Sequence, residues 1–80
     1  MGRENTEPVD ERWDAGDTGC GQLVVGLRRR LDAMGPGQTL ELIANDAGAP
    51  IDLPAWCRMT GHTLVSANHP TYVIRRKADC

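Results

Sequence analysis

Phenylalanine is absent from these 80 residues, and two Trp and one Tyr make up the whole aromatic complement. A core must therefore be assembled from Leu, Val, Ile, Ala and Met around those three rings. Long apolar runs are missing as well. Nothing approaches the roughly 20 residues needed to span a bilayer, and the start lacks the charged, apolar, small-residue order of a signal peptide, so no membrane partner is expected. An excess of positive charge is also missing: Lys and Arg number 9 against 11 Asp and Glu, a net charge of −2. That balance argues against a direct nucleic-acid partner, because phosphate contacts need surplus cations. Cysteine is scarce and odd in number, three residues without framework spacing, unlike a disulfide-stapled secreted domain. A reducing, cytoplasmic location is the expectation.

What is present fits one small domain. Residues 1–12 are polar and acidic and read as a disordered tail, 13–77 as the folded domain, and 78–80 as a frayed end. Trp13-Asp14-Ala15 suits a short edge strand, followed by the loop Gly16-Asp17-Thr18-Gly19. The clearest helix runs over 21–34, where Leu23, Leu27, Leu31 and Met34 share a face flanked by Val24. Gly35-Pro36-Gly37 should end it, with glycine in a left-handed cap. Gln38–Asn45 alternates, with Leu40, Leu42 and Ala44 on one side and Thr39 and Glu41 on the other, as a half-buried strand does. A second helix is expected to start at Asp52 as cap with Pro54 in its first turn, and to stop near Gly61. His62–Ala67 and Thr71–Lys77 read as a hairpin joined by Asn68-His69-Pro70. The order βαβαββ implies an α/β two-layer sandwich, two helices on one face of a four-stranded mixed sheet.

The residue best placed for chemistry is Cys20. It stands between two glycines at the head of the first helix, where unpartnered N–H groups favour a thiolate. The N–H groups of Gly21, Gln22 and Leu23 are the expected anion stabilisers. Cys57, beside Trp56 in an apolar setting, suits core packing better than a resolving role, and the terminal Cys80 suits an incidental exposed thiol. Cys20, Cys57, His62 and His69 include zinc-ligand types, but no close pair occurs, so no metal is expected. Arg28, Arg29 and Arg30 lie along the exposed side of the first helix. They are either a solvated face complementing the helix dipole or, with Arg58, a docking surface for an acidic partner. Asp46 and Asp52 read as turn and cap residues, since no second carboxylate is spaced to make a catalytic pair.

Taken in order, the landmarks resemble the TusA/SirA family of small sulfur carriers. Asp14-Ala15 with Cys20 matches that family's opening, and Pro36-Gly37-Gln38-Thr39-Leu40 followed by Asp46 is similar to its strand and acidic turn. Asp52-Leu53-Pro54 with Cys57, then Gly61-His62-x-Leu64, then Tyr72-Val73-Ile74-Arg75-Arg76-Lys77 complete the series over about residues 13–77. The resemblance implies a cysteine that carries sulfur as a persulfide, without a cofactor. The sulfur would come from a cysteine desulfurase or rhodanese and pass to a DsrE-like or other relay protein, for instance toward tRNA thiolation or sulfur oxidation. Cys20 is the matching position.

Two positions depart from the family pattern. Its signature is Cys-Pro-x-Pro, whereas this chain has Cys20-Gly21-Gln22-Leu23, and Asp17 replaces a glycine three residues before the cysteine. Two prolines would fix φ and remove two N–H donors; Gly21 and Leu23 restore donors on a looser backbone. Asp17 opposes a thiolate through its charge. The departures bear more on partner recognition than on nucleophilicity. They leave two functions to separate, a persulfide carrier and a non-catalytic interaction or regulatory module on the same fold.

Overall fold

The computed structural model describes residues 9–78. Six elements follow one another: β1 (Glu11–Gly16), α1 (Cys20–Ala33), β2 (Thr39–Ala44), α2 (Ala49–Thr60), β3 (Thr63–Asn68) and β4 (Thr71–Arg75). The strands form one sheet in the order β1-β2-β4-β3. β1 pairs parallel to β2, with Trp13 opposite Leu42, while β4 runs antiparallel to both β2 and β3. A parallel pair needs a long crossover, and α1 supplies it.

The apolar periodicities meet on one face of that sheet. Leu23, Leu27 and Leu31 of α1 and Leu53 of α2 are fully buried against Leu40, Leu42, Ala44, Tyr72 and Ile74. The alternation expected in β2 is present, Leu40, Leu42 and Ala44 being buried while Thr39, Glu41 and Ile43 are only partly covered. On the opposite face Arg12 Nε donates to Glu41 Oε1 at 2.7 Å across the β1–β2 pair. The mixed α/β sandwich with two helices on one side is therefore the architecture of the protein.

Several boundaries differ from the sequence reading, each for a local reason. β1 begins at Glu11, so the division at 12/13 falls inside a strand. Asp10 anchors its start, giving its N–H to the Thr39 carbonyl (2.9 Å) and receiving the Thr39 N–H on Oδ2 (2.8 Å). Residues 1–8 and 79–80 lie outside the described residues. α1 does not end in a left-handed glycine. Met34 is its extended C-cap, giving its N–H to the Leu31 carbonyl (3.0 Å). Pro36 disfavours helical backbone at Gly35, and the left-handed residue is Gly37 (φ 82°), inside a turn closed by the Gln38 N–H on the Gly35 carbonyl at 3.1 Å. A Pro-Gly pair at the centre of a turn is the type II arrangement.

α2 starts at Ala49, three residues before the expected cap. Asp46 makes this possible: its carboxylate receives the Gly48 N–H (2.9 Å) and its carbonyl the Ala49 N–H (3.0 Å), so the turn runs straight into the helix. Pro50 then occupies the first turn, where its missing N–H costs nothing, and Asp52 lies within that turn rather than capping it. Pro54 stands inside the helix. The bond it cannot make belongs to the carbonyl of Pro50, an exposed residue at which water can substitute. Gly61 ends α2 in the left-handed conformation (φ 91°), its N–H on the Cys57 carbonyl at 2.9 Å.

Candidate functional site

Because β1 and β2 are parallel, they finish side by side, Gly16 opposite Ala44. The loops into α1 and α2 therefore leave the sheet at the same end. The β3–β4 turn joins them there, the Ala44 N–H donating to the Pro70 carbonyl at 2.8 Å.

The loop before α1 is braced from within. The Gly16 N–H donates to Asp14 Oδ1 (3.0 Å), and Thr18 sends both its N–H (3.1 Å) and its hydroxyl (2.6 Å) to the Ala15 carbonyl. Gly16, at φ 58°, supplies a left-handed bend that side chains resist. Asn45, just past β2, ties the loop to the sheet: its N–H donates to the Gly16 carbonyl (2.9 Å) and its amide Nδ2 to Asp17 Oδ1 (3.4 Å). Sequence reasoning passed over Asn45, which carries no signal beyond standing at a strand end. Asp17, expected to oppose a thiolate, has its carboxylate engaged by this amide.

The braced loop delivers the chain into Cys20, the first residue of α1. Gly19 is the extended N-cap (φ −68°, ψ 156°) and brings no side-chain hydrogen bond to the helix start. The first rung of the helix is the Leu23 N–H on the Gly19 carbonyl at 2.8 Å. Leu23 therefore departs from its expected role: its N–H is used within the helix, and its side chain is fully buried in the core. The helix begins at the cysteine itself, so the i to i−4 bond already claims the fourth residue. Gly21 and Gln22 precede that rung.

Cys57 is buried, and desolvation pushes its thiol up to about 11, so it packs in the core as expected. Cys80 lies outside the described residues. Arg28 is exposed and faces Asp32 one turn on (Nε–Oδ2 3.8 Å). Arg29 and Arg58 are exposed, while Arg30 turns back to lie over the Trp13 ring, 4.3 Å from its centroid. Arg28 stands about 12 Å down the helix axis from Cys20, at 1.5 Å per residue. There it lines a groove of about 270 Å³ with Asp32, Trp56, Met59, Thr60, His62 and Lys77. The expected arginine cluster is thus divided: Arg28 enters the groove, and Arg29 and Arg58 remain outside it.

The two histidines are engaged at opposite ends of the sheet. His69 Nδ1 meets the Tyr72 hydroxyl beside the β3–β4 turn. His62 is buried, stacks on Trp56 with ring centroids 5.4 Å apart, and accepts the Lys77 N–H on Nδ1 at 3.0 Å. Among the described residues no group of three or more His, Cys, Asp and Glu side chains is arranged to hold a metal, and no helix is long and apolar enough to cross a membrane.

Residues 11–76 match the family model described as sulfurtransferase TusA. The chain is 36% identical over 78 residues to the sulfur carrier protein TusA of Pseudomonas paraeruginosa, covering 92% of this chain and 99% of that one. It is 34% identical over 71 residues to a putative sulfur carrier protein of Neisseria meningitidis serogroup A, covering 84% and 96% respectively.

Proposed function

Because the chain belongs to the TusA family of sulfur carrier proteins, we propose that it carries sulfur, and that Cys20 is the residue that bears it. In this reading the Cys20 thiolate attacks the outer sulfur of a donor persulfide. A new S–S bond forms at Cys20 as the donor's S–S bond breaks, and the donor leaves as a thiolate. The acceptor's thiolate then attacks the outer sulfur on Cys20, which returns to its starting state. No general base is required once the thiolate is formed.

One observation carries the reading: Cys20 opens α1 behind a glycine cap, with the N–H groups of Gly21 and Gln22 ahead of the first helical hydrogen bond. Those groups, with the helix dipole, favour an anion at the helix start. Donors of the cysteine desulfurase or rhodanese type and a DsrE-like or related acceptor suit this chemistry. Arg28, Arg29 and Arg58 are exposed cations available to an acidic partner surface. A reducing compartment, the cytoplasm, keeps such a thiol free.

Incubation with a cysteine desulfurase and cysteine, followed by mass measurement, tests the assignment. A gain of one sulfur is expected, reversed by dithiothreitol and absent in Cys20→Ser. Persistence of the gain in Cys20→Ser would overturn it. The competing reading, a docking or regulatory module, draws on the absence of both signature prolines from Cys20-Gly21-Gln22-Leu23. The pH dependence of Cys20 alkylation separates the two: an apparent pKa well below the free-thiol value of about 8.5 supports a carrier, and a normal or raised value supports the module.

A further inference from the structure

At the end of the sheet opposite the α1 start, two successive residues of the chain emerging from β4 are held by bonds of different character. Arg76 is fixed by groups that do not titrate in this range: its N–H donates to the Gln38 carbonyl (2.8 Å), its carbonyl receives the Gly37 N–H (3.0 Å), and its guanidinium Nε donates to the Leu31 carbonyl at the end of α1 (2.7 Å). Lys77, the next residue, has its N–H on a titratable side chain, His62 Nδ1 at 3.0 Å, and its exposed carbonyl receives only a longer contact from the Arg76 guanidinium (3.3 Å). His62 follows the left-handed Gly61, is only 8% exposed, and stacks on Trp56 of α2. His62, Trp56 and Lys77 together line the groove that Arg28 and Asp32 complete from α1.

We propose that the His62–Lys77 contact is an acid-released latch: protonation of His62 releases the Lys77 amide and opens the groove between the ends of α1 and α2. The chemistry follows from the acceptor. A neutral imidazole that accepts on Nδ1 carries its proton on Nε2. Protonation occupies the Nδ1 lone pair, so two N–H donors then face each other where one bond stood. The Lys77 amide has to leave, and the backbone bonds of Arg76 set the hinge immediately before it.

The surrounding charges decide when this occurs. α1 presents Arg28 and Asp32 to the groove, and the segment after β4 presents Arg76 and Lys77. α2 contributes Trp56, Met59 and Thr60, none of which titrates in this range. Burial first, then the charges of Lys77 and Arg76, hold His62 below the usual histidine value of 6.5, while Asp32 opposes them. The latch is therefore shut at neutral pH. In the open state Asp32 is the counter-charge for the imidazolium and gives up its contact with Arg28.

The test is a titration of nitrogen-15-labelled full-length protein from neutral to mildly acid pH, following backbone amides and the His62 ring. The Lys77 amide should shift with the midpoint of the His62 ring, while the Arg76 and Tyr72 amides stay in place. Asp32→Asn should move both midpoints to lower pH together. His62→Gln, which offers an acceptor that does not titrate, should leave the Lys77 amide independent of pH. A Lys77 amide that stays constant while the ring titrates overturns the latch. So does a Lys77 shift that survives in His62→Gln, or a single step shared by Lys77, Arg76 and Tyr72, which would mean that β4 unravels as a whole. None of these readouts involves Cys20, so the latch stands or falls apart from the carrier reading.

Discussion

Replacing Gly26 by alanine should destabilise the protein, although the same change in a helix interior ordinarily stabilises it. Gly26 lies in the middle of α1, where alanine is worth about 1 kcal/mol over glycine. Against that gain stands Trp13 of β1. A Cβ at position 26 would lie 2.5 Å from Trp13 Cη2, 3.1 Å from Cζ2 and 3.3 Å from Cζ3. The indole has to move by about 1 Å, and overpacking of this kind costs about 1–3 kcal/mol. Its movement also weakens the contact with the Arg30 guanidinium, 4.3 Å from the ring centroid, an interaction of about 0.5–1 kcal/mol at exposed sites. The net expectation is a loss of about 1 kcal/mol, or about 4–8 °C in Tm for a domain of this size.

Removing the ring should reverse the sign. In a Trp13→Val background, which keeps a good strand former in β1, Gly26→Ala should stabilise by about 0.5–1 kcal/mol. Urea denaturation followed by far-ultraviolet circular dichroism on the four proteins of this cycle gives the coupling, expected at about 2 kcal/mol. Equal effects of Gly26→Ala in both backgrounds would refute the argument. They would mean that the indole is not what requires a glycine at this position.

The remaining predictions concern single groups. With Cys20 and Cys80 both replaced by serine, Cys57 should resist thiol reagents at pH 8 and react only at the rate of unfolding, because burial raises its thiol to about 11; rapid labelling of the native protein would contradict its core placement. Stability contributed by neutral His62 should be complete above its unfolded value of 6.5 and decline as pH falls through its lowered folded value. His62→Gln should flatten that part of a Tm-against-pH curve. Gly21→Pro removes an N–H donor ahead of the first rung of α1 and should raise the apparent pKa of Cys20 alkylation; an unchanged value would remove the donor argument. Gly61→Ala places a side chain at φ 91° with a Cβ 3.3 Å from the Lys77 side chain, and should cost about 1–2 kcal/mol in urea denaturation.

Much of the architecture is legible in the residues because its signals are periodic. Leu23, Leu27 and Leu31 mark the buried face of α1, and Leu40, Leu42 and Ala44 the buried face of β2. The start of α2 was hidden because its cap is Gly48, which has no side chain to announce it, and the turn that leads into it is organised by Asp46 earlier in the chain. Asp52 and Pro54 are a familiar helix opening in sequence, yet the Asp46 turn starts the helix at Ala49. At the candidate site, Cys20 stands at the helix start as its glycine neighbours indicated. The engagement of the Leu23 N–H depends on where the first rung falls, a matter of one residue. Asn45 and the His62–Lys77 bond join residues far apart in sequence, and no local pattern encodes them.

The strand order carries a consequence for how the chain acquires its structure. β4, the fourth strand in sequence, lies inside the sheet between β2 and β3, pairing Leu40 with Ile74 on one side and Leu64 with Ile74 on the other. A nascent chain that has reached only β3 therefore holds both helices and three strands, but one of the two inner strands, with the buried side chains Tyr72 and Ile74, is still to come. Only β1 and β2 could pair at that stage, with β3 left without a neighbour. Folding on the ribosome should wait for the β3–β4 hairpin to emerge and dock beside β2, so the domain assembles in one late, cooperative step rather than strand by strand. Loss of β4 should then abolish the fold altogether, since β3 would lose its neighbour and β2 one of its two partners.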